Sequence, residues 1–258
     1  MENFIIKTTP PSNPWNGIRL SDLTVANCDK SIITALPTDV LSEIEVRTLP
    51  EPYHGNHDAN VYLLGGNPMA GDDDLRYAQM DNPVDGYRNR YEKELCEELL
   101  GVNKDFIWLR DQETVVDQNG NPYPAYKWWK QRLNALRQSL PQRLQCLLPS
   151  LVFAVEYFPY HTKNQKNIAS IPPLKSDDYA DSLIYDAMNS GKIIVVMRCR
   201  QKWLSRIKGL RSYPNLIMLH NPQSVYLSRG NMRPQDWAKL TDRINIDAVR
   251  LAINRGII

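Results

Sequence analysis

Two short polar loops hold the residues best suited to chemistry. The first, Leu64-Gly65-Gly66-Asn67-Pro68-Met69, follows the apolar run Val61–Leu64. An asparagine held rigid by the proline after it is suited to orient a water molecule, although its amide is no base. Hydrolysis that expels an anionic leaving group needs nothing stronger. The second loop, Leu219-His220-Asn221-Pro222-Gln223-Ser224-Val225-Tyr226-Leu227, sets a ring nitrogen and an amide at the end of another apolar run. Between them, Glu156 is the one carboxylate of the run 151–157. It accepts hydrogen bonds from amines and hydroxyls and suits a carbonyl poorly. Plainer readings stand beside these: Asn-Pro as a turn starter, His220 as a core histidine, Glu156 paired with Arg198 or Arg200.

Such loops need elements to carry them. Near-continuous apolar runs at 61–64, 151–157, 193–197 and 216–219 predict buried strands, and 106–109 a further short one. Helical spacing predicts helices over 39–48, 88–100, 125–139, 141–147, 177–188, 202–208, 234–243 and 246–254, with a turn at 117–120. In the first of them Val40, Leu41 and Ile44 face in, and Glu45 and Arg47 face out. Apolar strands alternating with helices mean a parallel sheet covered on both faces. The expected fold is therefore α/β, a central four-stranded parallel sheet flanked by helices on both faces. One domain is expected over 1–258, with an irregular arm over 1–36. Ligands of such sheets sit at the carboxyl ends of the strands.

Composition excludes several classes. Of 258 residues, 42% are hydrophobic and 23% charged, which is a globular balance. No stretch approaches the ~18 apolar residues of a membrane span, and 1–14 lacks a signal-peptide layout. Four cysteines, with no CxxC pair, point to reduced thiols in a cytoplasmic protein. His54, His57, His161 and His220 lack metal spacing, and Asp72-Asp73-Asp74 reads as a solvated loop, so neither metal nor cofactor is expected. Neither a GxSxG elbow nor a P-loop occurs. The net charge of +2 hides an asymmetry. Residues 1–120 carry 10 Lys+Arg against 21 Asp+Glu, and residues 121–258 carry 21 against 8. No acidic residue lies between Asp186 and Asp236, where nine basic ones occur. That face fits a polyanion such as DNA, with Arg198, Arg200, Lys202 and Arg229 on its phosphates, or else pairs with the acidic half.

Gly-x-Asn-Pro early and His-Asn-Pro-Gln-Ser late, each after a strand, resemble the uracil-DNA glycosylase superfamily over roughly 60–230. The similarity is to its mismatch-specific and single-strand-selective branches. The resemblance implies that superfamily's fold and a monofunctional DNA glycosylase, a monomer that flips a base out of DNA and leaves an abasic site. It assigns catalysis to Asn67 and His220. It places Gly66, Met69, Glu156 and Asn221 around the base; Tyr77 or Tyr87, soon after the first loop, suits stacking on a flipped base or packing in the core. Ser224 and a wedge, Tyr226 or Leu227, enter the DNA. Three departures stand out: no uracil-reading Asn on the second strand, Met69 where the family has Gly, and Gln223 where it has Ser. A carboxylate in place of that Asn shifts the expected substrate to a modified cytosine, such as glucosylated hydroxymethylcytosine in phage DNA. Ordinary uracil repair and an inactive DNA-binding module are the alternatives. The iron–sulfur cluster of some branches is not expected from these cysteine spacings.

Overall fold

The computed structural model describes residues 11–16, 18, 25–46, 48–69, 95–102, 104–110, 124–163 and 171–258. All four expected strands form, each an apolar run of aliphatic and aromatic residues; three are buried throughout and the edge strand at 216–218 in part. The chain runs α1 (Lys30–Thr34), α2 (Thr38–Leu41), β1 (Ile44–Glu45), β2 (Tyr53–Gly55) and β3 (Val61–Leu64). After a 3-10 turn at Ile107–Leu109 come α3 (Pro124–Gln138) and a 3-10 stretch (Gln142–Leu147) running into α4 (Leu148–Leu151). Then follow β4 (Val152–Val155), β5 (His161–Thr162), α5 (Asp177–Asn189) and β6 (Ile193–Val196). The last elements are α6 (Arg200–Arg206), β7 (Leu216–Met218) and α7 (Pro234–Asn254).

The main sheet has five strands in the order β2-β4-β3-β6-β7. The four expected strands are parallel to one another, whereas β2 lies antiparallel on β4, with Tyr53 opposite Val155. The sheet is therefore mixed. Alternate residues divide between its two faces, as a pleat requires. Leu63, Ala154 and Val195 pack with Trp129, Leu133 and Leu136 of α3 and with Leu240, Ile244, Ala248 and Ala252 of α7. Tyr62, Phe153, Ile194 and Val196 pack with Ile184 and Met188 of α5 and Trp203 of α6. The buried Leu, Ile, Val, Phe and Met side chains among them contribute roughly 1.5–3 kcal/mol each. The described part of the arm adds Trp15, Ala26 and Ile33 to the second face, and 30–34 of it is helical rather than irregular.

Several expectations need correction. The helix over 39–48 stops at Leu41; Ile44–Glu45 pairs instead with His161–Thr162, burying Glu45. A partner strand more than a hundred residues away overrides the local period. Residues 106–109 do not form a strand, since Phe106 N donates to the Pro149 carbonyl and Ile107 N to the Glu98 carboxylate. The expected break near 244 is absent: α7 is one helix, with Asn245 Nδ2 donating to the Thr241 carbonyl at 2.8 Å. Residues 95–99 are helical, while 88–94 and the turn at 117–120 lie outside the described residues. Among the described residues, no helix is long and apolar enough to cross a membrane.

Candidate functional site

The order of the parallel strands creates a crevice. From β3 the chain moves to β4 on one side and later to β6 on the other, so the carboxyl ends of β3 and β6 are a topological switch point. A cavity of about 180 Å³ opens there. Gly65, Gly66, Asn67, Pro68 and Met69 line it after β3, Glu156 after β4, and Met197 and Arg198 after β6. Trp128 and Trp129 of α3 close another wall, and Glu51, His54 and His161 complete it.

The first loop is tightly held. Gly65 N donates to the Val155 carbonyl at 2.8 Å, and the Gly65 carbonyl accepts Trp203 Nε1 at 2.7 Å. A Cβ on Gly65 would stand 2.2 Å from Glu156 Oε2, so only glycine lets that carboxyl lie against the loop. Asn67 is buried, its Nδ2 donating to Thr162 Oγ1 at 2.6 Å and to the Pro68 carbonyl at 2.9 Å. Its Oδ1 has no hydrogen-bond partner among the described residues. The β6 end turns sharply because Cys199 adopts a left-handed φ of 52° before α6 begins. That conformation costs roughly 1–2 kcal/mol in an L-residue, and it delivers Arg198 to the cavity wall.

Glu156 is buried with Oε2 unpartnered among the described residues. Burial pushes its carboxyl up to about 7, against the pull of the His54 and Arg198 charges and the Gly66 N–H. A raised carboxyl favours the native state while protonated. Its contribution is whole below about 4.5 and is lost as pH rises through about 7. The loss amounts to about 3 kcal/mol. Glu156→Gln is expected to lose less of its urea midpoint between pH 4.5 and 7 than the wild type, since Asp181, pushed up to about 6 by burial, titrates in both. Parallel curves for the two proteins would contradict the burial argument.

Beside the cavity lies a buried chain of charge that the sequence did not reveal. His54 Nδ1 meets Glu98 Oε2 at 2.8 Å and its Nε2 meets Glu51 Oε2 at 2.9 Å. Burial alone would lower the His54 pKa, but the two carboxylates overcome it and push it up to about 10. Glu98 Oε1 also accepts Gly55 N at 2.6 Å, and Glu51 Oε2 accepts Trp108 Nε1 at 3.0 Å. Despite its burial, Glu51 is held far below the usual carboxylate range by His161 and His54. His161 Nε2 stands 3.3 Å from Glu51 Oε1, yet neither ring nitrogen has a hydrogen-bond partner among the described residues. His57 is different, half-exposed beside Asp58 at 3.1 Å. Among the described residues, no His, Cys, Asp and Glu group is arranged to hold a metal ion.

The second loop does not enter the cavity as expected. Exposed His220 and Asn221 are absent from its lining. Asn221 Oδ1 accepts the Gln223 and Ser224 amides at 2.9 and 3.2 Å, so it shapes its own loop. Buried Asn231 pins that loop, accepting from Asn221 N at 2.8 Å and donating to the Ser224 and Tyr226 carbonyls. Leu227 cannot be the wedge, being 0% exposed in the core. Tyr226 is 42% exposed and stacks on Arg132, whose guanidinium carbon sits 4.5 Å from its ring centre and 5.1 Å from that of Trp128. This ladder leads from the second loop to the cavity wall, and the sequence reading missed Arg132 and Trp128 as site residues. Arg200 donates to the Leu219 carbonyl and so braces the loop. Lys202 covers Tyr157, and Arg229 is exposed. Tyr77, Tyr87 and Asp72-Asp73-Asp74 lie outside the described residues.

No protein-family model, curated protein or solved structure matches the chain.

Proposed function

We propose that the chain is a DNA glycosylase of the uracil-DNA glycosylase type, acting on a modified base flipped into the switch-point cavity. One observation carries the reading. Asn67 of the Gly-x-Asn-Pro loop and Glu156 at the end of β4 reach one cavity, each with a buried oxygen lacking a partner among the described residues. Such oxygens cost stability and are retained where a ligand or water completes them. Asn67 Oδ1 accepts a hydrogen bond from the attacking water. Glu156, ionised in part at neutral pH, accepts from an exocyclic amine or from hydroxyls of a sugar carried by the base. The C1′–N bond breaks toward the base, and the cationic sugar is stabilised by the DNA phosphates and the fixed site. Tyr226 and Arg132 are positioned for the flanking strand, with Arg198, Lys202 and Arg229 near its phosphates. The preferred substrate is a modified cytosine such as glucosylated hydroxymethylcytosine, which fits a role in phage defence by a cytoplasmic monomer.

The raised Glu156 carboxyl favours a second reading, because its protonated form donates to a carbonyl and would accept uracil. A panel of unmodified, uracil-containing, hydroxymethylated and glucosylated DNA, assayed for abasic sites, separates the two. Abasic sites confined to glucosylated DNA are expected. Uracil release that fades as pH rises through 7 would replace this with the repair reading. Tight DNA binding without abasic sites on any substrate would leave a binding module.

A further inference from the structure

We infer that His161 is a second catalytic group of this cavity, an imidazole that protonates the departing base and is aimed by the buried chain Glu98–His54–Glu51. The inference rests on the glycosylase reading above.

His161 is 5% exposed, lines the cavity and has two ring nitrogens without hydrogen-bond partners among the described residues. A buried imidazole in a purely structural role normally hydrogen-bonds through at least one nitrogen. Its backbone is fixed in β5, paired with Glu45 of β1. Its Nε2 faces Glu51 Oε1 at 3.3 Å, while Glu51 Oε2 is anchored by His54 at 2.9 Å and Trp108 at 3.0 Å. His54 is in turn fixed by Glu98 at 2.8 Å, and Glu98 by the backbone amides of Gly55 and Ile107. The charge of a carboxylate 3.3 Å away favours a proton on the ring nitrogen it faces, without a hydrogen bond, and leaves the other nitrogen for the ligand. That nitrogen is Nδ1.

In the proposed step the imidazolium Nδ1 gives its proton to the base as the C1′–N bond breaks and the electron pair passes to the base. The water beside Asn67 forms the new C1′–O bond and releases a proton to solvent, from which His161 regains its own. The charged groups that line the cavity with His161 are Glu51 and His54 on the β2 side, Glu156 after β4 and Arg198 after β6, and Glu51 stands 3.3 Å from the ring.

The test compares wild type, His161→Gln and His161→Ala in single-turnover abasic-site formation on glucosylated DNA and uracil-DNA, with and without added imidazole. Both variants should lose about a hundredfold or more in rate on the active substrate, with unchanged DNA affinity. Imidazole should restore the alanine variant alone, and more strongly at pH 6 than at pH 8, where less of it is protonated. His161→Gln preserves size and polarity, so it keeps the test alive if the alanine variant fails to fold. A folded glutamine variant within tenfold of wild type overturns the role of His161 while leaving the glycosylase reading intact. So does restoration that ignores the protonation of imidazole. A wild type that makes no abasic sites on either DNA overturns the glycosylase reading itself.

Discussion

Asn67→Ala is expected to lower base release at least about a hundredfold in single-turnover assays while DNA affinity stays near wild type. Asn67 is fastened by Nδ2 to Thr162 and to the Pro68 carbonyl, and both bonds leave Oδ1 fixed without a partner among the described residues. A group held this way needs no reorganisation when water arrives, which is how a weak acceptor becomes catalytic. Removing it also removes a bond to Thr162, at a stability cost of roughly 1 kcal/mol. Activity and stability should therefore separate, with a large change in rate and a small one in the urea midpoint. A rate within tenfold of wild type would deny Asn67 its role, since that corresponds to under about 1.4 kcal/mol of transition-state stabilisation.

The second large effect concerns the fold itself. His54→Gln is expected to cost about 3–5 kcal/mol, because it removes the cation between two buried carboxylates. The sign of the pH dependence follows from the raised pKa of His54. Its contribution is whole below about 6.5 and is lost as pH rises through about 10. Wild-type stability should thus decline from pH 7 to pH 10 beyond what the variant shows. Denaturant melts of both proteins across that range check the point. Equal slopes, or a cost under 1 kcal/mol, would mean that Glu51 and Glu98 are satisfied without the histidine.

What the sequence made legible follows from the range of each interaction. The runs at 61–64, 151–157 and 193–197 announce buried parallel strands because both of their faces are covered, and Gly65, Asn67 and Glu156 could be placed at their ends. Strand β2 was invisible, being three residues, Tyr53-His54-Gly55, whose pairing partner lies a hundred residues on. The charged chain was hidden for the same reason, since Glu51 and His54 meet Glu98 and His161 only in the fold. In the second loop the outcome turns on Asn231, which lies outside the motif. Asn231 draws the Ser224 and Tyr226 carbonyls inward and leaves Leu227 in the core. Position in a motif could not anticipate that clamp.

The cavity's walls differ in how freely they can change. Glu51, His54 and Glu98 are interlocked with Trp108 and with the Gly55 and Ile107 amides, so a substitution at one strands the others. Met69, 51% exposed, and Trp128, half-buried, line the same cavity without belonging to that lock. Selection or design can therefore retune which ligand the cavity admits through Met69 and Trp128 while the charged lock stays constant. A lineage built on this scaffold would diversify its ligands at the rim and inherit the lock unchanged.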